Sequence, residues 1–149
     1  MHLSLATLED LPFVERMARD FANEYPFPAE LNLQKIQDTC RDFLSKDKNE
    51  FIVVLANDPH PIGMLAGRTI ELLFSSEKIA VEMMWWVDKD YRTGNTGWEL
   101  MKAFEYWAGV VGCKYVQMAS VQTDIGERLD KVYKRKGYIL AERNYLKAI

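Results

Sequence analysis

The stretch that most restricts how this chain can fold runs from residue 78 to residue 112. "KIAVEMMWWV" has the length and near-continuous apolarity of a strand covered on both faces. The polar run "DKDYRTGNTG" follows at once. From Gly97 onward Leu100, Ala103, Phe104, Trp107 and Val111 recur at helical spacing, and Gly112 stands where a C-terminal cap belongs. A strand, a glycine turn and a helix start in direct succession make a ready anion site. The first amides of a helix have no intrahelical partner, and the macrodipole adds roughly half a positive charge there. Gly94 and Gly97 have no Cβ to hold a ligand's oxygens off the backbone, and Arg92 can add a charge-assisted bond from the rim. Taken alone, the turn reads as well as a plain connection. It is not a Walker A loop, which would end in Gly-Lys-Ser/Thr, and it lacks the G-x-G-x-x-G of a dinucleotide fold.

The remaining chain supplies the frame. "HLSLA" predicts a first strand, Asp10 a cap for a helix that tolerates Pro12 in its first turn, and Leu11, Val14, Met17, Ala18 and Phe21 that helix's buried face. "NEYPFPAEL" holds two prolines and is read as loop; Asn32 then caps a second helix carrying Leu33, Ile36, Cys40 and Phe43. "FIVVLA" and "IGMLAGRTIELLF", separated by "NDPHP", predict a hairpin. After the glycine turn and its helix come a strand over "KYVQMASV", a helix over "GERLDKVYKRK" that stops at Gly137, and a closing hairpin of "YILAE" with "NYLKAI". The expected order is strand, two helices, three strands, helix, strand, helix, two strands. That order predicts an α/β fold whose mixed sheet carries helices on both faces.

Composition narrows the partners. At 149 residues and 48% apolar, the expectation is one domain over residues 1–149 with a core that needs no disulfide or metal. A net charge of −3 with scattered Lys and Arg gives no footprint for nucleic acid and favours a cationic partner. Cys40 and Cys113 lie on apolar-periodic stretches without a Cys or His at metal spacing, and read as buried thiols. No run approaches the ~18 apolar residues of a membrane span and no secretory segment opens the chain, so a soluble cytoplasmic protein is expected.

A second motif, "VYKRKGY", places Tyr133 four residues before Gly137 at a helix end, with Tyr138 opening the next segment. Together with "RTGNTG", with the opening "LATLEDLP" and with the element order, it resembles the GNAT superfamily, the Gcn5-related N-acetyltransferases, over essentially the whole chain. Members carry Arg/Gln-x-x-Gly-x-Gly/Ala between the fourth strand and the third helix, and Tyr-x-x-x-Gly-Phe/Tyr near the C-terminus. Here Arg92 and Gly97 match, while Asn95 stands at the middle glycine and the glycine has moved back to Gly94. Gly126 stands where many members have Asn, seven residues before the tyrosine.

The resemblance implies a mostly antiparallel sheet in which parallel strands four and five splay apart, and acetyl-CoA as acyl donor with no metal. It implies that Arg92, Thr93, Gly94, Asn95, Thr96 and Gly97 hold the pyrophosphate, and that the pantetheine arm lies along the strand that ends in Trp86 and Val87. Glu82 is the only acid in its apolar strand, where a carboxylate is costly unless it faces a polar cleft. An amine acceptor arrives as ammonium, with a pKa around 10.4 for a lysine-like group, and must lose a proton. Some members use a glutamate on this strand as that base, and the tyrosine aligned with Tyr133 to protonate the departing thiolate. Both residues also have plain readings, Glu82 in a salt bridge and Tyr133 in the core. Trp85 and Trp86 alternate faces, so one is expected in the core and the other along the groove; Ser120 is a weaker candidate near the thioester. Acceptor recognition is expected from Glu24, Tyr25, Phe27 and Glu30 in the first inter-helix loop and from Tyr145 near the C-terminus. The acceptor class is a small amine, a peptide N-terminus or a lysine, with a homodimer left open. A GNAT-fold module without catalysis is the alternative.

Overall fold

Alternation in "FIVVLAN" already divides the molecule into two cores, because Val53 and Leu55 point one way and Ile52, Val54 and Ala56 the other, all of them buried. The computed structural model describes every residue except Pro28 and Gln122, together with the backbone but not the side chain of Asp124. It forms two compact units, Met1–Met118 and Ala119–Ile149. The larger holds a five-stranded sheet in chain order, β1 (His2–Leu5), β2 (Phe51–Asn57), β3 (Pro61–Glu71), β4 (Lys78–Val87) and β5 (Tyr115–Gln117). β1 to β4 are antiparallel neighbours, and β5 joins β4 in parallel. The intervening crossover carries the helix α3 (Thr96–Val110).

α1 (Leu11–Glu24) and α2 (Leu33–Ser45) cover one face, burying Val14, Met17, Ala18, Cys40 and Leu44 against Val53, Leu55, Met64 and Trp86. α3 covers the other face, burying Leu100, Phe104, Trp107 and Ala108 against Ile52, Val54, Leu65, Ala80 and Val87. Each large side chain buried in this way contributes roughly 1.5–3 kcal/mol. Burial pushes the Cys40 thiol up to about 11, and Cys113 is also raised by burial.

Some local signals work differently from expectation. Asp10 does not cap α1. Its carboxylate accepts from the Thr7 amide at 2.9 Å, in a reciprocal box with Thr7 that opens a short 3-10 turn, Leu8–Asp10, ahead of α1. Asn32 does cap α2, its Oδ1 accepting from the Lys35 amide at 2.9 Å. Gly112, with φ +85°, supplies the left-handed turn that ends α3. Tyr25 packs against Phe21 and Phe27 at 5.3 and 4.7 Å between ring centres; Pro28 in the same loop lies outside the described residues.

The smaller unit contains α4 (Asp124–Arg135), capped by Thr123, whose hydroxyl accepts from the Gly126 amide at 3.3 Å. The chain leaves α4 through Gly137 at φ +87°. No hairpin follows: residues 138–149 carry no strand, and Ile139, Leu140, Tyr145 and Leu146 are exposed. Only Arg143 separates the two expected strands, with no Asn-Gly or Gly-X pair to reverse the chain, and an isolated two-stranded ribbon is marginal in water.

Candidate functional site

β4 changes character at its midpoint. Ile79, Ala80 and Val81 pair with Tyr115, Val116 and Gln117 of β5, and the pairing goes no further. On the other side β4 stays paired with β3 throughout, but the register jumps there: Gly67 faces Glu82 and Ala66 faces Met84, leaving Met83 as an extra, bulged residue. A bulge bends its strand and strengthens the local twist. The bend and the end of β4–β5 pairing therefore coincide at Glu82 and Met83, and from Glu82 to Val87 β4 pairs with β3 and no longer with β5. Gly67 cannot carry a side chain at this point, because a Cβ there would lie 2.5 Å from the Phe104 ring and 2.7 Å from the Val81 carbonyl. Directly paired residues share a sheet face, so the register puts half-buried Glu82 on the face that α3 covers, at the vertex of the split.

The turn beyond β4 begins with a 3-10 turn, Lys89–Tyr91, and reaches α3 at Thr96. Its backbone is ordinary throughout. No residue from 92 to 97 has positive φ, and Asn95 sits at φ −89°, ψ −2°. Asn in place of the middle glycine thus imposes no backbone strain. Asn95 also makes no side-chain cap, and the ladder of α3 opens with the Glu99 amide donating to the Asn95 carbonyl at 2.9 Å. The amides of Thr96 and Gly97 lie ahead of that first bond, directed out of the helix end.

The two glycines have different tasks. A Cβ on Gly97 would meet the Trp85 ring at 3.2 Å and Val87 at 3.8 Å, so this glycine lets the start of α3 close onto β4. Substitution at 97 therefore disturbs packing, so this glycine does more than leave the backbone open to a ligand's oxygens. Around Gly94 a Cβ would find nothing nearer than the Tyr91 carbonyl at 3.8 Å, and Thr93, Gly94 and Asn95 are exposed. Thr96 is buried, its hydroxyl 3.5 Å from the Met1 sulfur, which leaves its amide rather than its side chain to face a ligand.

Arg92 is held on three sides. Its Nε donates to the Val87 carbonyl at 2.7 Å, its Nη2 to Glu24 at 3.1 Å, and its guanidinium lies 4.5 Å from the centre of the Trp86 ring. Trp86 is itself buried and donates its indole N–H to Asp88 at 2.8 Å. Asp88 also receives both terminal nitrogens of Arg16, at 2.9 and 3.0 Å, and this bond raises the Arg16 pKa further. Of the coenzyme candidates, Trp86 and Val87 are thus wall and anchor for Arg92. A cavity of about 480 Å³ opens between the last turns of α1, at Asp20, Asn23 and Glu24, and the stretch from Trp86 to Tyr91. The Arg16–Asp88 and Arg92–Glu24 pairs escaped the sequence reading. They join residues 72 and 68 positions apart, for which no local pattern exists.

In the smaller unit, Tyr133 is buried, its hydroxyl donates to the Ala119 carbonyl at 2.9 Å, and its ring lies 5.4 Å from that of Tyr138. Ser120 lies beyond the end of β5 and donates to the carboxylate of Asp130 on α4. A Cβ on Gly126 would fall 1.7 Å from the Val121 carbonyl, so no side chain, Asn included, fits there with the chain in this course. Glu30 and Phe27 are exposed, as is Tyr145 in the smaller unit.

Comparison with known proteins now gives the class. The chain belongs to the acetyltransferase (GNAT) family, whose sequence pattern matches residues 13–138. Membership supports acetyl transfer as its general chemistry. Its fold is shared with an aminoglycoside N-acetyltransferase in complex with CoA, at 14% identity and a TM-score of 0.77, with 99% of this chain and 95% of that one covered. It is shared as well with a ribosomal-protein-alanine N-acetyltransferase from Brucella melitensis biovar Abortus 2308, at 12% identity and TM-score 0.74 over 100% of both chains. A third likeness is an aminoglycoside acetyltransferase from an uncultured soil metagenomic sample in complex with sisomicin, at 18% identity and TM-score 0.70 over 99% and 96% of the two chains. No curated protein matches the chain. Among the described residues no helix is long and apolar enough to cross a membrane.

Proposed function

We propose that residues 1–149 act as one acetyltransferase domain that moves an acetyl group from acetyl-CoA to a primary amine by direct attack. The observation that carries this reading is the coincidence of two features on one strand: pairing with β5 that ends at Val81, just before Glu82, and an uncapped helix start with exposed turn residues beyond its far end. An extended ligand with amides along its length and phosphates at one end fits both. The amides of Thr96 and Gly97 and the exposed turn from Thr93 to Asn95 would hold the pyrophosphate, with Arg92 beside them. Bound there, acetyl-CoA supplies an activated acetyl thioester.

Glu82 at the vertex takes the proton from the acceptor ammonium, directly or through water. Tyr133 stabilises the departing sulfur through its hydroxyl, which now donates to the Ala119 carbonyl and must give up that bond to do so. Asn95 at φ −89° carries no backbone strain in the turn, which favours this reading over a module without catalysis. The acceptor is a small amine, peptide N-terminus or lysine.

A thermal shift with CoA tests the coenzyme site. Ligand at 100 times its Kd adds about 2.7 kcal/mol of stability, which moves the melting temperature by several degrees. Gly94→Val is expected to melt like the parent protein and to lose that shift. A variant that keeps the full shift places the phosphates elsewhere.

A further inference from the structure

Glu24 is the last residue of α1, and a carboxylate there stands at the negative end of the helix dipole. Its position needs a counterweight, and the structure supplies two. Oε1 lies 3.1 Å from the ammonium of Lys89 and Oε2 lies 3.1 Å from Nη2 of Arg92, one oxygen to each cation. Arg92 is the first residue of the turn proposed to hold pyrophosphate, and Lys89 lies three residues before it. The carboxylate therefore occupies the cations that lie nearest a phosphate on this turn. Arg92 cannot swing clear of Glu24 without loss, because its Nε stays on the Val87 carbonyl and its plane lies against Trp86.

We propose that Glu24 is a resident anion on the coenzyme's cations: it holds Lys89 and Arg92 in place in the free protein and is displaced by phosphate when CoA binds. The inference rests on the coenzyme site proposed above. A carboxylate and a pyrophosphate competing for one guanidinium repel each other, so the carboxylate weakens CoA binding. The Glu24 and Arg92 side chains are 35% and 27% exposed, which screens the repulsion and limits the effect to a modest factor. Displacement also releases the C-terminal end of α1 from the turn. Tyr25, tilted against Phe21, and Phe27, edge-on to Tyr25, then become free to adjust when the coenzyme is in place. Glu24 is thus a positioning residue, acting through Arg92 and Lys89.

Calorimetric titration of the full chain with CoA and with pantetheine, which lacks the phosphates, tests this on wild type, Glu24→Gln and Glu24→Ala. Both variants are expected to bind CoA roughly three- to tenfold more tightly than wild type at low salt, with pantetheine unchanged. The gain is expected to shrink at high salt, where exposed charges are screened. In turnover assays the KM for acetyl-CoA is expected to fall by the same factor. Variants that bind CoA no better than wild type overturn the proposal, as does a gain that appears equally for pantetheine. Wild type that binds no CoA at all overturns instead the coenzyme site on which the proposal stands.

Discussion

The two halves of β4 have nearly the same apolar character and opposite surroundings. From Ile79 to Val81 the strand pairs with both β3 and β5; from Glu82 to Val87 the pairing with β3 goes on and that with β5 has ended. The difference does not come from hydrophobicity, since both halves are rich in apolar residues. It comes from one surplus residue, Met83, which bends the strand, and from the short β5, which pairs for three residues and then departs. The half paired on both sides closes a core, and the half beyond the end of β5 pairing leads to a helix start. The only acid in this apolar strand, Glu82, stands directly after the point where pairing with β5 ends.

The contrast can be broken at the boundary itself. Glu82→Gln preserves size and hydrogen bonding and removes the base, so turnover on a verified amine is expected to fall ~10²- to 10⁴-fold. CoA affinity should hold, and a pH–rate profile shows whether the lost limb belongs to this residue. An unchanged rate assigns the proton transfer to another group.

Deleting Met83 tests the bend. Glu82 and Met84 keep their β3 partners, Gly67 and Ala66, and their opposite faces, so the chain should still fold. A straighter β4 closes the split, and CoA affinity is expected to fall roughly tenfold or more, about 1.4 kcal/mol. Full affinity in the deletion variant would separate the bulge from the cleft.

Tyr133→Phe asks whether the chemistry extends beyond β4. A kcat drop of at least tenfold is expected, ~1.4 kcal/mol of transition-state stabilisation, with CoA affinity intact. Because the hydroxyl also donates to the Ala119 carbonyl, stability should fall by about 1 kcal/mol, measured by urea unfolding. Loss of stability with full turnover would make Tyr133 a packing residue only.

The smallest effect belongs to the closed interior. The Cys40 thiol, raised by burial from 9.0 to about 11, holds its proton in the folded state over a range where the unfolded chain releases it. Its contribution to stability is therefore complete below pH 9 and declines as pH rises toward 11. Urea midpoints at pH 8 and pH 10.5 should separate more for wild type than for Cys40→Ala. Equal separation would mean that the thiol is not shielded.

Much of the frame was legible in the sequence because short-range rules fix it. The 3.6-residue spacing of Leu100, Phe104 and Trp107, the Asn32 cap and the Gly112 and Gly137 stops all act within a turn or two of helix. The turn at 92–97 was legible as a motif, although the reason for Gly97 was not: it lies in the Trp85 ring, twelve residues back and on another element. The same limit hid the bulge at Met83, which appears only once Gly67 is set against Phe104 and Val81. It also hid the ion pairs that tie α1 to the end of β4. The terminal hairpin was read from apolar alternation alone, without turn chemistry to reverse the chain.

The most direct test of the central claim, that the turn at 92–97 holds the coenzyme's phosphates and the open half of β4 its arm, is an amide nitrogen–proton correlation spectrum of labelled protein titrated with CoA. The account predicts the largest shifts at the amides of Thr93 to Gly97, smaller shifts along Glu82 to Val87, and little change at Ile79 to Val81. Shifts concentrated outside both stretches, or none at saturating CoA, would contradict it.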